Sequence, residues 1–428
     1  MIINNNDRNK FRIEENNIFI ELLKKRKVVM PEILAPVRDR ATLVAAINSG
    51  ADSVYFGLGE LNMRASSKGI KISELEEVVE YAHQRNVKVY VTLNVIIYEN
   101  ELKKCDEILL RCKKANVDAI ICWDFAVIEK CKNIGIPFHI STQASISNSR
   151  AAKFYENLGA SCIVLARECT LKQIEQIRKK IKTKLEIFIH GAMCVSISGR
   201  CFISQFLNCK SANRGECLQP CRREYIVKDK ETGYELELEN HFVMSPKDLC
   251  TLGIIDKIIA TGVDILKIEG RSRSIEYVSK VVEAYKTAIN YVSKGEYNNE
   301  IANKLINIVS KVYNREFSKG FLFGMPGVNA WAKVDGNISQ EKKEYVGKVV
   351  NYYPKSKIVY INVISNNIQL GDKIYIQGKT TGLVETTINE LRSDDKIVSV
   401  VERGEATFPI NMKVRQNDLV FRVRRNIF

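Results

Sequence analysis

The sequence predicts an α/β protein: a (β/α)8 TIM-like barrel with a cysteine-rich insert after strand seven, followed by a small all-β barrel domain. From Pro31 onward, short apolar runs alternate with helical patterns, which is typical of parallel sheets covered on both faces. Seven such strands precede a stretch with four cysteines and an eighth follows it, and eight strands close a barrel. A doubly wound open sheet is the alternative, but no GxGxxG follows the first strand.

Each part of the chain has its own pattern. Residues 1–30 form an N-terminal arm that is polar, then amphipathic around Ile18 to Leu23, where we expect a short helix. Residues 31–330 form the barrel, and its insert, 191–250, contains three β-type runs that we expect to be antiparallel: REYIVKD, YELELE and HFVMSPKDL. Residues 340–428 alternate or run β-branched between Gly, Asn and Asp turns, which predicts the small β-barrel domain. The eight predicted barrel strands are EILAPV, DSVYFG, KVYVTLN, AIICW, FHISTQ, CIVLAR, EIFIHG and DILKIEG.

The charge and the cysteine content limit the possible functions. The formal net charge of +15 favours a polyanionic partner such as RNA, although a lysine-rich proteome would give the same value. We see no signal peptide and no apolar run that could span a bilayer, so we expect a cytoplasmic protein without membrane contacts. Thiols stay reduced there, so twelve cysteines are better explained by metal binding and core packing than by disulfides.

Four cysteines follow the seventh strand with the spacing Cys194-x6-Cys201-x15-Cys217-x3-Cys221. Structural zinc sites usually use paired C-x2-4-C ligands, and only the second pair resembles that. Iron–sulfur clusters take four thiolates at irregular spacing, so the pattern favours a cluster slightly over zinc. The carboxyl ends of barrel strands form the catalytic face, which predicts the metal at the barrel mouth. Cys250 is the alternative to Cys221 as fourth ligand.

Polar side chains at strand ends are expected to face the same mouth: Asn94, Gln143, Arg167, Glu168, His190, Lys267, Glu269 and Arg271. Alternation along the strand puts Lys267 and Glu269 on one face, where the charges are costly unless they are functional or tightly paired. The guanidinium group of Arg167 or Arg271 could bind a carboxylate or a phosphate through two hydrogen bonds. His190, beside the first thiol, suits acid–base chemistry or a role near the metal. Turn, cap or ion-pair roles are the structural alternatives.

The run EIFIHGAMCVSISGRCFIS resembles the signature of peptidase family U32, the collagenase-like proteases, and so do GADSVYFG, HISTQAS, ARECTL, MSPKDL, LKIEGR and NREFSKGFLFG. The resemblance implies iron–sulfur hydroxylases that work without molecular oxygen. It looks closest to the prephenate-dependent branch that makes 5-hydroxyuridine at the wobble position, uridine 34, of tRNA. It then implies a 4Fe–4S cluster on the four cysteines. Arg167, Lys267 and Arg271 would bind prephenate, a dicarboxylate, and substrate phosphate, while Glu168 or His190 moves protons.

Other functions remain open at this stage. A U32-type peptidase would use Cys194 with His190 as a nucleophile pair, although the sequence contains neither GxSxG nor HExxH. Further alternatives are an rRNA cytidine hydroxylase and a non-catalytic RNA-binding zinc protein. The sequence also leaves open a related U32 chain as partner.

Overall fold

The computed structural model describes residues 29–65, 69–236, 241–334 and 336–426. The predicted N-terminal arm, with its helix around Ile18 to Leu23, lies outside the described residues except for residues 29 and 30.

Eight parallel strands close into the predicted barrel. Each strand pairs with the next along the chain, and the eighth pairs with both the seventh and the first. The barrel is therefore confirmed. A further short strand, β8 (Asp248–Cys250), lies between the seventh and eighth barrel strands in the sequence and outside the ring. The barrel strands are β1 (Glu32–Pro36), β2 (Ser53–Gly57), β3 (Lys88–Leu93), β4 (Ala119–Cys122), β5 (Phe138–Ile140), β6 (Cys162–Val164), β7 (Lys184–Gly191) and β9 (Ile265–Ile268).

Helices connect the strands and cover the outside of the barrel. In Arg40–Asn48 the preceding Asp39 caps the helix, because its carboxylate accepts from the Thr42 N–H at 2.9 Å. Leu75–His83 shows the common pattern: Val78, Val79 and Ala82 on one face are buried against the barrel. The α-helices are α1 (Arg40–Asn48), α2 (Leu75–His83), α3 (Leu102–Lys114), α4 (Phe125–Ile134), α5 (Ser149–Leu158), α6 (Leu171–Arg178), α7 (Ile203–Asn208), α8 (Ile255–Ala260), α9 (Ile275–Lys294) and α10 (Asn299–Ser310).

Alternation along the barrel strands divides the core in two. Ile33 and Ala35 of β1 face the helices, while Leu34 between them faces the barrel interior. The interior cluster is small and includes aromatic rings, notably Tyr55 and Tyr90. Charged side chains also enter the interior, and they form the floor of the site described below.

The insert after β7 is mostly irregular. It holds the short helix α7 and an antiparallel bridge between Lys228 and Glu235. The prediction of a strand through HFVMSPKDL is only partly right, since Asp248–Cys250 alone forms a strand, which runs antiparallel to β7. Phe242 and Val243 precede it in a turn and are buried there. A two-residue strand, β10 (Phe317–Ser318), pairs with β8.

The all-β region after the barrel is confirmed. Its main sheet runs in the order β15-β14-β20-β11-β12-β19-β16-β17, and β13 pairs with β18 beside it around one apolar core. It contacts the barrel helix α9 through ion pairs, such as Lys343 with Glu276 at 2.9 Å. The strands are β11 (Glu341–Tyr353), β12 (Ile358–Val363), β13 (Ile368–Gln369), β14 (Lys373–Gly378), β15 (Gly382–Thr387), β16 (Arg392–Ser393), β17 (Lys396–Ile397), β18 (Val400–Val401), β19 (Gly404–Pro409) and β20 (Leu419–Arg425).

Candidate active site at the barrel mouth

A cavity of about 670 Å³ opens at the carboxyl ends of the barrel strands. Side chains from the ends of several strands, or from the loops that follow them, form its wall, and the cysteine insert forms the rest. This is the face at which (β/α)8 barrels carry their active sites. The lining includes all four cysteines proposed as ligands and six of the eight polar residues predicted to face the mouth: Asn94, Gln143, Arg167, Lys267, Glu269 and Arg271.

The four thiols Cys194, Cys201, Cys217 and Cys221 lie close enough to affect one another's charge. Burial raises the pKa of Cys221, and the other three thiols raise it further. Burial also raises the pKa of Cys201, with Cys194 and Cys217 adding to the effect. Among the described residues, no three of these sulfur atoms lie within 4.8 Å of one another. All four cysteines line the same cavity.

Backbone contacts hold the insert over the mouth. The Arg222 guanidinium donates to the Met193 carbonyl at 2.5 Å, to the Ser245 hydroxyl at 3.1 Å, and to the Pro246 carbonyl. This ties the loop carrying Cys221 to the end of β7. Gly215 has φ +82°, and a Cβ there would lie 2.3 Å from the backbone nitrogen of Ala65. Only glycine allows that close approach between the insert and the loop after β2.

Cys250 lies on the other side of β7 from the cavity. It is buried, its sulfur is 3.9 Å from the Tyr285 hydroxyl, and it pairs with His190 across the β7–β8 ladder. Burial raises the pKa of its thiol to about 11. Of the two candidates for the fourth ligand, only Cys221 shares the cavity with the other three cysteines.

His190 does not face the mouth, contrary to the sequence prediction. Phe188 lines the cavity, and simple alternation would bring His190 to the same side, but the β7–β9 register shifts between these two residues. The imidazole is 2% exposed, packs against Tyr277, and lies 3.3 Å from the Tyr285 hydroxyl. Burial, with Arg273 nearby, lowers its pKa to about 3, so it is neutral. Glu168, the residue after Arg167, is exposed and does not line the cavity either.

Glu269 lies at the centre of a cationic wall. One oxygen is 3.0 Å from Arg64, and the other is 3.8 Å from Arg167. Burial would raise the pKa of this carboxyl, but Arg64, Arg167 and Arg271 outweigh burial and lower the pKa to about 2. The group is therefore ionised, and it orients two guanidinium groups toward the cavity.

The guanidinium groups are fixed but not saturated. Arg167 donates to the Ala192 carbonyl at 2.6 Å and stacks 3.9 Å over the Phe188 ring. Arg271 donates to Asn62 at 3.0 Å and to Thr92 at 2.7 Å. In both arginines the Nε atom is buried and has no hydrogen-bond partner among the described residues. Burial lowers the pKa of Arg271 to about 10, so it is still charged near neutral pH. Both side chains line the cavity.

Lys267 and Glu269 both line the cavity, as alternation predicts, but they do not pair with each other. The Lys267 ammonium lies 2.6 Å from Glu186, a residue of β7 that is completely buried. Asn94 and Gln143 do meet: the Asn94 amide donates to the Gln143 oxygen at 3.4 Å, and both are 6% exposed.

The charge of the lining is strongly positive. Six of the described lining side chains are cationic and two are carboxylates, which leaves an excess of four positive charges. One carboxylate, Asp39, is already paired with Arg38 at 2.9 Å and caps a helix. Such a cavity suits a ligand with several negative charges.

Sequence reasoning missed three residues of this site. Arg64 lies in a loop whose sequence has no strand or motif pattern, so nothing in the sequence indicated that it belongs to the site. Arg222 follows Cys221 directly, and a cation beside a candidate metal ligand was a usable signal. Glu186 was also visible, as a single carboxylate inside the apolar run EIFIHG, since a charged residue in a buried strand is rarely accidental.

These features define the class: a (β/α)8 protein with a thiol-lined, cationic cavity at its catalytic face. The model of peptidase family U32 matches residues 38–332, and the chain belongs to this family, as the resemblance implied. None of the described helices is long and apolar enough to cross a membrane.

Relatives of the chain carry two kinds of enzyme name. An uncharacterized protease of Methanocaldococcus jannaschii is 40% identical, over 94% of this chain and 100% of its own. A collagenase of Porphyromonas gingivalis is 37% identical over 91% and 97% of the two chains. The tRNA hydroxylation protein P1 of Bacillus subtilis is 33% identical over 85% and 87%.

Proposed function

We propose that this protein is a tRNA hydroxylase that makes 5-hydroxyuridine at the wobble position, using an iron–sulfur cluster and prephenate without molecular oxygen. The observation that carries the proposal is one cavity in which four cysteine thiols adjoin an excess of positive charge. The name of the Bacillus subtilis relative supports tRNA as the substrate.

The thiol spacing favours a 4Fe–4S cluster over one zinc ion. Zinc–sulfur bonds of about 2.3 Å in a tetrahedral site put the sulfurs about 3.8 Å apart. No three of the four sulfurs lie within 4.8 Å of one another in the described part of the chain. A cluster of several irons would bind the thiolates at different irons, so the four sulfurs would not have to meet at one ion. Cys194, Cys201, Cys217 and Cys221 would hold the cluster, which supplies one-electron redox chemistry when bound.

The cationic wall would bind the co-substrate. Prephenate carries two carboxylates, and the side chains of Arg167 and Arg271 both line the cavity. Lys267 provides a third positive group at the floor. Glu269 would orient Arg64 and Arg167 rather than move protons, since its pKa of about 2 keeps it ionised.

The RNA must bring an unpaired base to this mouth. A wobble base is in an anticodon loop and can enter a cavity without the opening of a duplex. Phosphates on either side would meet the basic surface, consistent with the net charge of +15. Asn94 and Gln143 line the cavity wall, and we expect them to meet the polar edge of the base.

Nucleoside mass spectrometry of tRNA from a deletion strain tests this function. We expect 5-hydroxyuridine and its derivatives to disappear from the deletion strain, to return with the wild-type gene, and to stay absent with Cys217→Ala. Unchanged levels in a deletion strain without a paralogue would refute the proposal.

A peptidase is the second candidate because two relatives carry protease or collagenase names. The structure offers it no Cys–His pair in the cavity: His190 points away from Cys194, and none of the described histidines lines the cavity. Gelatin cleavage that survives metal removal but is lost in Cys194→Ala would support this candidate.

A further inference from the structure

Beneath the cavity, a lysine and a glutamate form an ion pair inside the barrel. Lys267 is 4% exposed and Glu186 is 0% exposed, and the ammonium lies 2.6 Å from one carboxylate oxygen. The ammonium also lies 4.4 Å from the centre of the Tyr55 ring and 5.4 Å from that of Phe188. Lys267 thus reaches the cavity, whereas Glu186 is shielded behind it.

The far side of this pair is incompletely bonded. The second oxygen of Glu186 is buried and has no hydrogen-bond partner among the described residues. His139 lies behind it, with Nδ1 at 3.9 Å from that oxygen and likewise without a hydrogen-bond partner among the described residues. The centre of its ring lies 4.5 Å from that of Tyr90, and the two rings are tilted relative to each other. Burial lowers the pKa of His139 to about 3, and Lys267 adds to the effect. His139 is therefore neutral, and it leaves the single negative charge of Glu186 to Lys267.

A buried ion pair is poor evidence of stabilisation, because apolar side chains of similar size often do as well or better. Breaking such a pair is harmful because it leaves one charge buried alone. We propose that Glu186, backed by His139, is a positioning residue that pairs with the Lys267 ammonium and fixes it at the cavity floor, where the ammonium binds a carboxylate of the co-substrate. The identity of that co-substrate rests on the proposed function; the role of Glu186 toward Lys267 does not.

A metal site is the competing explanation. The Cys162 sulfur, a His139 nitrogen and a Glu186 oxygen lie within 4.8 Å of one another, and these are ligand types that zinc uses. Against this, the Lys267 ammonium already holds Glu186, and a second cation beside it would be repelled. Burial also raises the pKa of Cys162 well above its usual value, which disfavours the thiolate.

The test replaces Glu186 by glutamine, which keeps the shape and removes the charge. Prephenate binding to the anaerobically purified protein is measured by calorimetry at several pH values. A buried lysine without a counter-charge loses its proton near neutral pH. We therefore expect Glu186→Gln to bind prephenate at least about tenfold more weakly than wild type at about pH 8, with a smaller difference at about pH 6. Glu186→Asp should restore part of the affinity. Glu276→Gln removes a carboxylate from a pair outside the cavity and should bind as wild type.

Measuring Tm across the same pH range tests the charge of Lys267 independently of prephenate binding. In Glu186→Gln the folded chain binds fewer protons than the unfolded chain, so its stability rises with pH relative to wild type. The deficit in Tm should thus narrow from about pH 6 to about pH 8. The double variant Glu186→Gln, Lys267→Met should lose this pH dependence, because it buries no unpaired charge.

Each arm has a result that overturns the proposal. A Tm deficit that is the same at every pH would mean that Glu186 has only a packing role. If a variant without the four cavity cysteines still binds metal, and Glu186→Gln abolishes that binding, then His139, Cys162 and Glu186 form a metal site instead. Failure of the wild-type protein to bind prephenate would count against the proposed co-substrate, and the unfolding measurement would still decide the role of Glu186.

Discussion

Replacing Glu269 by glutamine should destabilise the protein by an amount that depends on pH. The carboxylate lies 3.0 Å from Arg64 and 3.8 Å from Arg167 and is largely buried. Burial opposes its ionisation, yet the surrounding arginines lower its pKa from 4.5 to about 2. Each pKa unit corresponds to about 1.4 kcal/mol, so the shift represents about 3 kcal/mol of stability at neutral pH.

The direction of the pH dependence follows from the linkage between proton binding and folding. The pKa of Glu269 is lower in the folded protein, so the stabilisation is complete above pH 4.5 and is lost as pH falls toward about 2. Glu269→Gln should therefore be about 3 kcal/mol less stable than wild type at pH 7, and less than about half of that difference should remain near pH 3. Urea unfolding of both proteins at several pH values measures this.

The control is Glu300→Gln, which removes an equal charge from an exposed i,i+4 pair with Lys304 and should leave stability unchanged. Equal stability of wild type and Glu269→Gln at pH 7 would refute the electrostatic interpretation. A loss of unfolding free energy that is as large at pH 3 as at pH 7 would also refute it, because that result would indicate a packing defect rather than a lost charge.

Further predictions concern the cysteines, the cationic wall and the RNA. Cys221→Ala should lose the visible absorption of the anaerobically purified protein, whereas Cys250→Ala should keep it; the reverse would make Cys250 the fourth ligand. Arg167→Ala should weaken prephenate binding about tenfold or more in calorimetry, because it removes a charged hydrogen-bond donor; unchanged affinity would place the co-substrate elsewhere. His190→Phe should keep hydroxylation activity, since the imidazole lies outside the cavity, and lost activity in a folded, cluster-containing variant would contradict this. tRNA affinity, measured by filter binding, should fall more than about tenfold between about 50 and 200 mM salt, and a flat salt response would exclude phosphate-dominated binding.

The barrel could be predicted because its strands are local patterns. The runs from EILAPV to DILKIEG are mostly apolar, as expected for strands covered on both faces, and their number implies closure. The position of the four cysteines after the seventh strand was enough to place them at the mouth. Alternation also placed Lys267 and Glu269 correctly on one face.

The features that could not be predicted from the sequence depend on contacts between distant segments of the chain. His190 was expected at the mouth, but the register shift beside Phe188 turns it outward, and such a bulge has no local signal. The partner of Lys267 is Glu186, which lies 81 residues away and was not among the candidate site residues. The role of Arg64 follows only from how the loop after β2 folds over the barrel.

Anaerobic reaction of the cluster-containing protein with a tRNA transcript tests the central claim most directly. We predict 5-hydroxyuridine in the nucleoside digest only when prephenate is present, and none with Cys194→Ala. Absence of any hydroxylated nucleoside from a fully iron-loaded preparation, together with cleavage of a collagen-derived peptide by the same preparation, would contradict the claim and favour a peptidase.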